Sequence, residues 1–270
     1  MNDLIVVRGG GDLATGTIHR LWTAGFRVLV LETNAPAAIR RQVCVCEAVY
    51  EGTATVEGMT AVLVQNEQEM ECQWNQNHVP VLVDPKGDCL AKLHPAVLVD
   101  AILAKKNLGT SRTMAPLTIG LGPGFEAGSD VDLVIETLRG HNLGRVISSG
   151  SATANTGIPG IVGGVGADRV IRSPAAGTVR CLHEIGDLVQ SGEPVCEIET
   201  EHGSVPVPAN ISGILRGLIR EGYPVTPGFK IGDVDPRREE YRNCFTISDK
   251  ARAIGGSVLE QVCRFFRTQR

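Results

Sequence analysis

Near the start of the chain, Arg8-Gly9-Gly10-Gly11-Asp12-Leu13-Ala14-Thr15-Gly16 carries Gly9, Gly11 and Ala14 in the pattern G-x-G-x-x-A. In that pattern the first glycine makes a tight turn and the second lets backbone approach a pyrophosphate. The small third residue permits close helix–strand packing. Glu32 follows about twenty residues on, where a carboxylate would accept hydrogen bonds from a ribose. Two readings fit these residues: a nucleotide site, or glycines that only shape a strand–helix turn. Asp12 inside the loop sets a negative charge beside any phosphate placed there.

Such chemistry needs a buried strand, a helix and a second strand to hold it, and the flanking residues supply them. Leu4-Ile5-Val6-Val7 and Val28-Leu29-Val30-Leu31 are apolar runs suited to strands covered on both faces. Between them Ile18, Leu21 and Trp22 recur at helical spacing, and Gly25 sits where a helix stop belongs.

Further groups fall where a parallel sheet would place them beyond its strand ends, the usual ligand crevice. Val79-Pro80-Val81-Leu82-Val83 leads to Asp84, Lys86, Gly87 and Asp88. Val97-Leu98-Val99 leads to Asp100; residues 97–106 fit either a strand to Asp100 followed by a turn or a helix with Pro95 near its start. Leu117-Thr118-Ile119 precedes a second glycine loop, Gly120-Leu121-Gly122-Pro123-Gly124-Phe125, and Asp130–Thr137 supplies another apolar segment. In the polar loop Arg139–Arg145, His141 has an intrinsic pKa suited to acid–base work; a structural histidine is the other reading.

After Glu32 comes a turn at Thr33-Asn34-Ala35-Pro36 and a helical expectation for Ala38–Val43. Its Arg40 and Arg41 fit either an anion contact, such as a 2′-phosphate, or solvated surface charge. Cys44 and Cys46 would share a face on a strand and, with Cys72 and Cys89, offer four sulfurs. Their spacing matches no standard zinc pattern, so they are read as core thiols and no metal is expected.

A length of 270 residues suits about two domains. The net charge of −4 and the 4% aromatic content give neither the basic footprint nor the stacking platforms of a nucleic-acid binder. No apolar run approaches a membrane span, and the N-terminus enters a strand without a leader-like basic region. Eight scattered cysteines read as reduced thiols, so the expected localisation is cytoplasmic.

From Ser173 the pattern changes to short strands between glycine turns. Gly177, Gly186 and Gly192 are repeated by Gly213, Gly222 and Gly228, a period of thirty-six residues. This part resembles the biotinyl/lipoyl carrier fold, in which two such halves intertwine as a barrel-sandwich hybrid. In those carriers a lysine on the hairpin between the halves is modified. Here the turn is Glu199-Thr200-Glu201-His202-Gly203-Ser204, which has no lysine, so neither biotin nor lipoate is expected. Ser248-Asp249 has the look of a helix N-cap. Beyond it Ala251, Ile254, Val258, Val262 and Phe265 share one helical face.

The whole chain resembles the YqeB family, on residues Val7–Gly16, Leu121–Phe125, Arg139–Arg145 and Lys230–Arg237. The resemblance implies an accessory or maturation role in a selenium-dependent molybdenum hydroxylase system. Related accessory proteins of xanthine dehydrogenase also pair a Rossmann-type domain with another module.

The expected architecture is an α/β Rossmann-like parallel-sheet domain (1–167), a small all-β barrel-sandwich hybrid (168–236), and a C-terminal helix (237–270) packing back on the α/β domain. The expected ligand is a dinucleotide, NAD(P), or a molybdopterin-type cofactor, held by Gly9, Gly10, Gly11, Asp12, Glu32, Asp84, Gly122 and Gly124. A hydroxylase client is the expected partner, and homo-oligomers are compatible with the sequence. The competing readings are an NAD(P)-dependent oxidoreductase, with His141, Lys86 or Asp100 as acid–base, and a non-catalytic scaffold.

Overall fold

A computed structural model describes residues 3–157 and 160–268. Ile158 and Pro159, within the turn-rich connection expected at 155–164, lie outside the described residues. The chain divides into two compact units, one of Met1–Pro36, Cys44–Thr156 and Ile247–Arg270, the other of Ala37–Val43 and Gly157–Thr246.

The first unit opens with β1 (Leu4–Arg8), α1 (Asp12–Thr23) and β2 (Arg27–Glu32). A one-turn helix α2 (Ala48–Glu51) leads to the hairpin β3 (Thr53–Val56) and β4 (Met59–Val64). Then come α3 (Glu67–Asn75), β5 (Val79–Val83), the short α4 (Leu90–Leu93) and β6 (Val97–Asp100). β7 (Leu117–Leu121), β8 (Glu126–Ala127), β9 (Leu133–Ile135), β10 (Val146–Ile147) and β11 (Gly150–Ser151) complete its strands.

Nine of these form one sheet in the order β10-β9-β7-β6-β1-β2-β5-β4-β3, while β8 and β11 make a separate ribbon. From β9 to β4 every pairing is parallel; β3 and β10 close the edges antiparallel. The chain runs outward from β1 through β2, then returns to β1's other side with β6. That reversal places a topological switch point at the carboxyl ends of β1 and β6. Ile5, Val6 and Val7 are fully buried, as is fitting for a strand with both faces covered. Of the two readings of 97–106, the strand ending at Asp100 holds.

The last helix, α5 (Asp249–Thr268), belongs to this unit. Ser248 caps it, its Oγ accepting the Ala251 N–H at 3.2 Å. Ala251, Ile254, Val258 and Val262 are buried, as their spacing predicts. α5 lies against α1 at Gly16, where a Cβ would come within 2.6 Å of the Ala251 Cβ and 2.7 Å of its carbonyl oxygen. Farther along, Phe266 stacks on Phe26 at 5.4 Å. Ala251 meets α1 near its start and Phe266 meets the residues just past its end, so the two helices run parallel.

The second unit holds β12 (Val170–Arg172), β13 (Gly177–Cys181), β14 (Leu188–Val189), β15 (Pro194–Thr200), β16 (Gly203–Pro208), β17 (Gly213–Leu218), β18 (Pro224–Val225) and β19 (Lys230–Asp235). They form two four-stranded sheets, β12-β19-β17-β14 and β16-β15-β13-β18. The sequence repeat becomes reciprocal hydrogen bonding. The Gly186 N–H donates to the Leu215 carbonyl and the Gly222 N–H to that of Val179, both at 2.8 Å. Gly192 to Ala209 and Gly228 to Ser173 form a second such pair, also at 2.8 Å. Each half thus completes the other, which makes the unit the intertwined biotinyl/lipoyl-like fold expected from the spacing.

Residues 37–43 correct an expectation. No α-helix forms over Ala38–Val43; there is a single 3-10 turn at Arg41–Val43. The cause is pairing with the β unit. The Leu218 N–H donates to the Ile39 carbonyl at 2.9 Å, and Gly217 leaves room for Ile39. Arg40 is buried, its Nη2 donating to the carbonyls of Asn243 (2.8 Å) and Thr246 (3.2 Å). Arg41 Nε donates to the Leu218 carbonyl at 2.8 Å. Both arginines brace a crossing segment, which neither the anion nor the surface reading anticipated.

Candidate functional site

The carboxyl edge around β1 gathers most of the chemistry. Gly9 has φ +94°, its N–H donates to the Leu31 carbonyl at 2.8 Å, and a Cβ there would come within 3.0 Å of the Ala101 oxygen. At Gly10 a Cβ would meet the Cys46 nitrogen at 2.9 Å, and the Gly10 carbonyl accepts that same N–H at 3.0 Å. The chain itself therefore requires glycine at both positions. Gly11 differs. Its φ of −68° suits any residue, and no heavy atom lies within 4 Å of where a Cβ would stand. Internal packing gives no reason for glycine there.

Glu32 closes β2 beside this loop. Its Oε2 accepts the Gly10 N–H at 2.7 Å and its Oε1 the Thr33 N–H at 2.8 Å. Burial pushes its carboxyl pKa up, and the two backbone bonds only partly offset that. Asp12, the first residue of α1, accepts the Leu13 N–H at 2.9 Å.

Across the switch point, Arg8 of β1 stands in register with Asp100 of β6. Both are buried, with Arg8 Nη1 3.6 Å from Asp100 Oδ2. Thr110 joins them, its Oγ1 accepting from Arg8 Nη1 at 2.5 Å and donating to Asp100 Oδ2 at 2.6 Å. Arg8 Nη2 reaches the Pro85 carbonyl at 2.9 Å, and Asp100 Oδ1 takes the Ile102 N–H at 3.1 Å. Asp100 thus serves as the anchor of a buried clamp on three loops. Leu103 and Lys105, in the loop that follows, hold φ of +59° and +63°, strained for non-glycine residues.

The other expected residues are spread along the same edge. Asp84 closes a turn on itself, accepting the N–H groups of Gly87 (2.9 Å), Asp88 (3.0 Å) and Cys89 (2.9 Å). Burial raises its pKa, but those bonds outweigh burial and hold it below the ordinary range. Lys86 and Asp88 are exposed in that turn, and His141 is exposed in its loop. Gly122 and Gly124 are required by the chain's own contacts: a Cβ would stand 2.6 Å from Thr137 Oγ1 at the first and 2.6 Å from the Lys106 backbone at the second.

Cys46 lies on a 3-10 turn, Val45–Glu47, and Cys44 just precedes it, so the two do not share a strand; both are buried beside the glycine loop. Their thiols hydrogen-bond each other; that bond, then burial, pushes the Cys44 thiol well up. At Cys46 the same bond pulls down, and burial with the neighbouring carboxylates outweighs it. Cys72 is exposed on α3, and among the described residues no group of three or more His, Cys, Asp or Glu side chains is placed to hold a metal.

Sequence reasoning missed four participants. Arg8 and Thr110 form the clamp; the readable signal was a charge ending each of two apolar strands. Lys250, half-buried near the start of α5, is held below the ordinary lysine pKa by burial, while Asp12 pulls the other way. Glu136 is buried just past β9, its Oε1 accepting the Leu138 N–H (2.8 Å) and its Oε2 the N–H (2.8 Å) and hydroxyl (2.7 Å) of Thr153. Burial raises its pKa, and these bonds more than reverse that, holding it below the ordinary carboxyl range.

A carboxyl with a depressed folded pKa adds stability that is present above the unfolded pKa and lost as pH falls through the folded one. Glu136→Gln is therefore expected to cost roughly 1–3 kcal/mol at neutral pH. Its deficit against the parent shrinks as acid protonates the parent's carboxyl. Urea denaturation at pH 7 and at about pH 4 checks this; a pH-independent deficit would contradict it.

The fold and site define a class: a mixed α/β unit with a large, mainly parallel sheet, coupled in one chain to a biotinyl/lipoyl-like unit. Residues 169–234 match the family model described as "Biotin-requiring enzyme". Over 259 residues the chain is 49% identical to "Uncharacterized protein YqeB" of Escherichia coli (strain K12), covering 96% of this chain and 47% of that protein. The chain is a homologue of YqeB across almost its whole length, as its motifs imply, and it spans about half the length of that curated relative.

Among solved structures, the apo form of the ectoine utilization protein EutE (DoeB) from Ruegeria pomeroyi aligns with 85% of each chain at 10% identity and a TM-score of 0.29. A succinylglutamatedesuccinylase/aspartoacylase from Rhodobacter sphaeroides aligns with 86% of this chain and 84% of its own, at 13% identity and a TM-score of 0.28.

Proposed function

We propose that the α/β unit is a Rossmann-like module that binds a nucleotide-type ligand, a dinucleotide or a molybdopterin-type cofactor, with its phosphate against Gly11. The observation that carries this reading is the contrast within the loop. Gly9 and Gly10 answer to the chain's own packing, while Gly11 faces open space in an unstrained conformation at the start of α1. A strand-order reversal beside that loop, and a carboxylate at the end of β2, support it.

The resemblance to YqeB proteins supports the role: an accessory or maturation factor for a selenium-dependent molybdenum hydroxylase, working in the cytoplasm, with the lysine-less β unit recognising the client. The oxidoreductase reading is the weaker one. Asp100 is committed to Arg8 and Thr110, and His141 and Lys86 stand exposed on separate loops.

Native mass spectrometry of the purified protein, with affinity capture from cells making a molybdenum hydroxylase, tests the role. The expected results are retained nucleotide or molybdopterin mass, recovery of the hydroxylase, and no biotinyl or lipoyl increment. Turnover of reduced nicotinamide cofactor with a small carbonyl substrate, and no hydroxylase recovered, would overturn it.

A further inference from the structure

The proposed site also contains information about which nucleotide it takes. An acceptor-only carboxylate at the ribose position selects hydroxyl donors, whereas a 2′-phosphate needs a guanidinium or ammonium there. We propose that the ligand carries a free ribose 2′,3′-diol, as NAD(H) and ADP-ribose do, and that Glu32 excludes 2′-phosphorylated forms. This rests on the glycine-loop reading above.

Glu32 is held in place for such a role. Its two oxygens are fixed by the N–H groups of Gly10 (2.7 Å) and Thr33 (2.8 Å), so the carboxylate plane is set before any ligand arrives. Each oxygen keeps lone-pair capacity for a further donor. A phosphate brought to the same place would meet like charge in a half-buried setting, where repulsion is weakly screened.

The arginines that end β1 and follow β2 are engaged elsewhere. From Val28 to Ile39 the sequence has no lysine or arginine. Arg40 and Arg41, next along the chain, donate to the carbonyls of Asn243, Thr246 and Leu218. Arg8 is held by Thr110, Pro85 and Asp100. The sequence alone left Arg40 and Arg41 open as 2′-phosphate ligands; their packing in the β unit removes them from that role.

Isothermal titration of the full chain with ADP-ribose and with 2′-phospho-ADP-ribose tests the inference without involving nicotinamide chemistry. A charge-assisted hydrogen bond is worth roughly tenfold or more in affinity, so the diol form is expected to bind at least about tenfold tighter. Glu32→Gln, which removes the charge and keeps one acceptor, is expected to narrow that ratio. Equal binding, or tighter binding of the 2′-phosphate form, overturns the diol assignment while the nucleotide site stands. Binding of neither, with a molybdopterin form bound instead, overturns the assignment and moves the site to a pterin ligand. Binding of none of these overturns both.

Discussion

Asp100→Ala is expected to lower the stability of the protein by about 3–5 kcal/mol, the usual cost of orphaning one partner of a buried ion pair. Arg8 is 2% exposed and Asp100 1%, so solvent has little access to the stranded guanidinium. Thr110 and the Pro85 carbonyl would still accept from Arg8, but neither carries the neutralising charge. The Ile102 N–H would lose its acceptor as well, loosening the loop that begins beside Gly9. Because replacing a whole buried pair with apolar residues is often neutral, Arg8→Met combined with Asp100→Leu is expected to recover much of the loss. Urea denaturation of the three proteins checks this. A cost for Asp100→Ala below about 1 kcal/mol would mean that the clamp is not the buried pair argued from its geometry.

Gly11→Asp is expected to do the reverse, sparing the fold and abolishing the ligand. Nothing lies within 4 Å of a Cβ at this position, φ is −68°, and aspartate is among the best N-cap residues. Thermal stability without ligand should therefore stay level or rise slightly. A carboxylate at the proposed phosphate position would repel an anion by about 4 kcal/mol at 4 Å in an effective dielectric of 20. Affinity should fall by roughly a hundredfold or more. Gly11→Ala, smaller and uncharged, should produce an intermediate loss. Retained binding in the aspartate variant would remove Gly11 from the site.

The sequence was most informative where a local pattern sets the structure. The run Leu4–Glu32 reads as strand, glycine loop, helix and strand because its apolar residues and glycines act within a few residues of one another. The thirty-six-residue repeat of Gly177, Gly186 and Gly192 likewise announced two halves, and the reciprocal bonds of Gly186 and Gly222 follow from it.

What could not be read depends on partners far along the chain. Ile39, Arg40 and Arg41 look helical until Leu218, Asn243 and Thr246 claim them. Cys44 and Cys46 look like a strand pair, but Cys46 is bonded to Gly10 and Val45 to Thr15, which fixes a turn instead. Within the candidate site, the glycines and Glu32 were visible as types at a spacing. The burial of Arg8 and the difference between Gly10 and Gly11 were not, since both turn on which distant segment lies alongside.

The most direct test of the nucleotide site is a thermal-shift titration of the purified chain with NAD(H), NADP(H), ADP-ribose and molybdopterin forms, parent and Gly11→Asp side by side. A ligand bound only by the folded state stabilises by about 2.7 kcal/mol at one hundred times its Kd. A saturable rise in Tm is expected for the parent with at least one of these ligands and none for Gly11→Asp. No rise with any ligand, or an equal rise in both proteins, would contradict it.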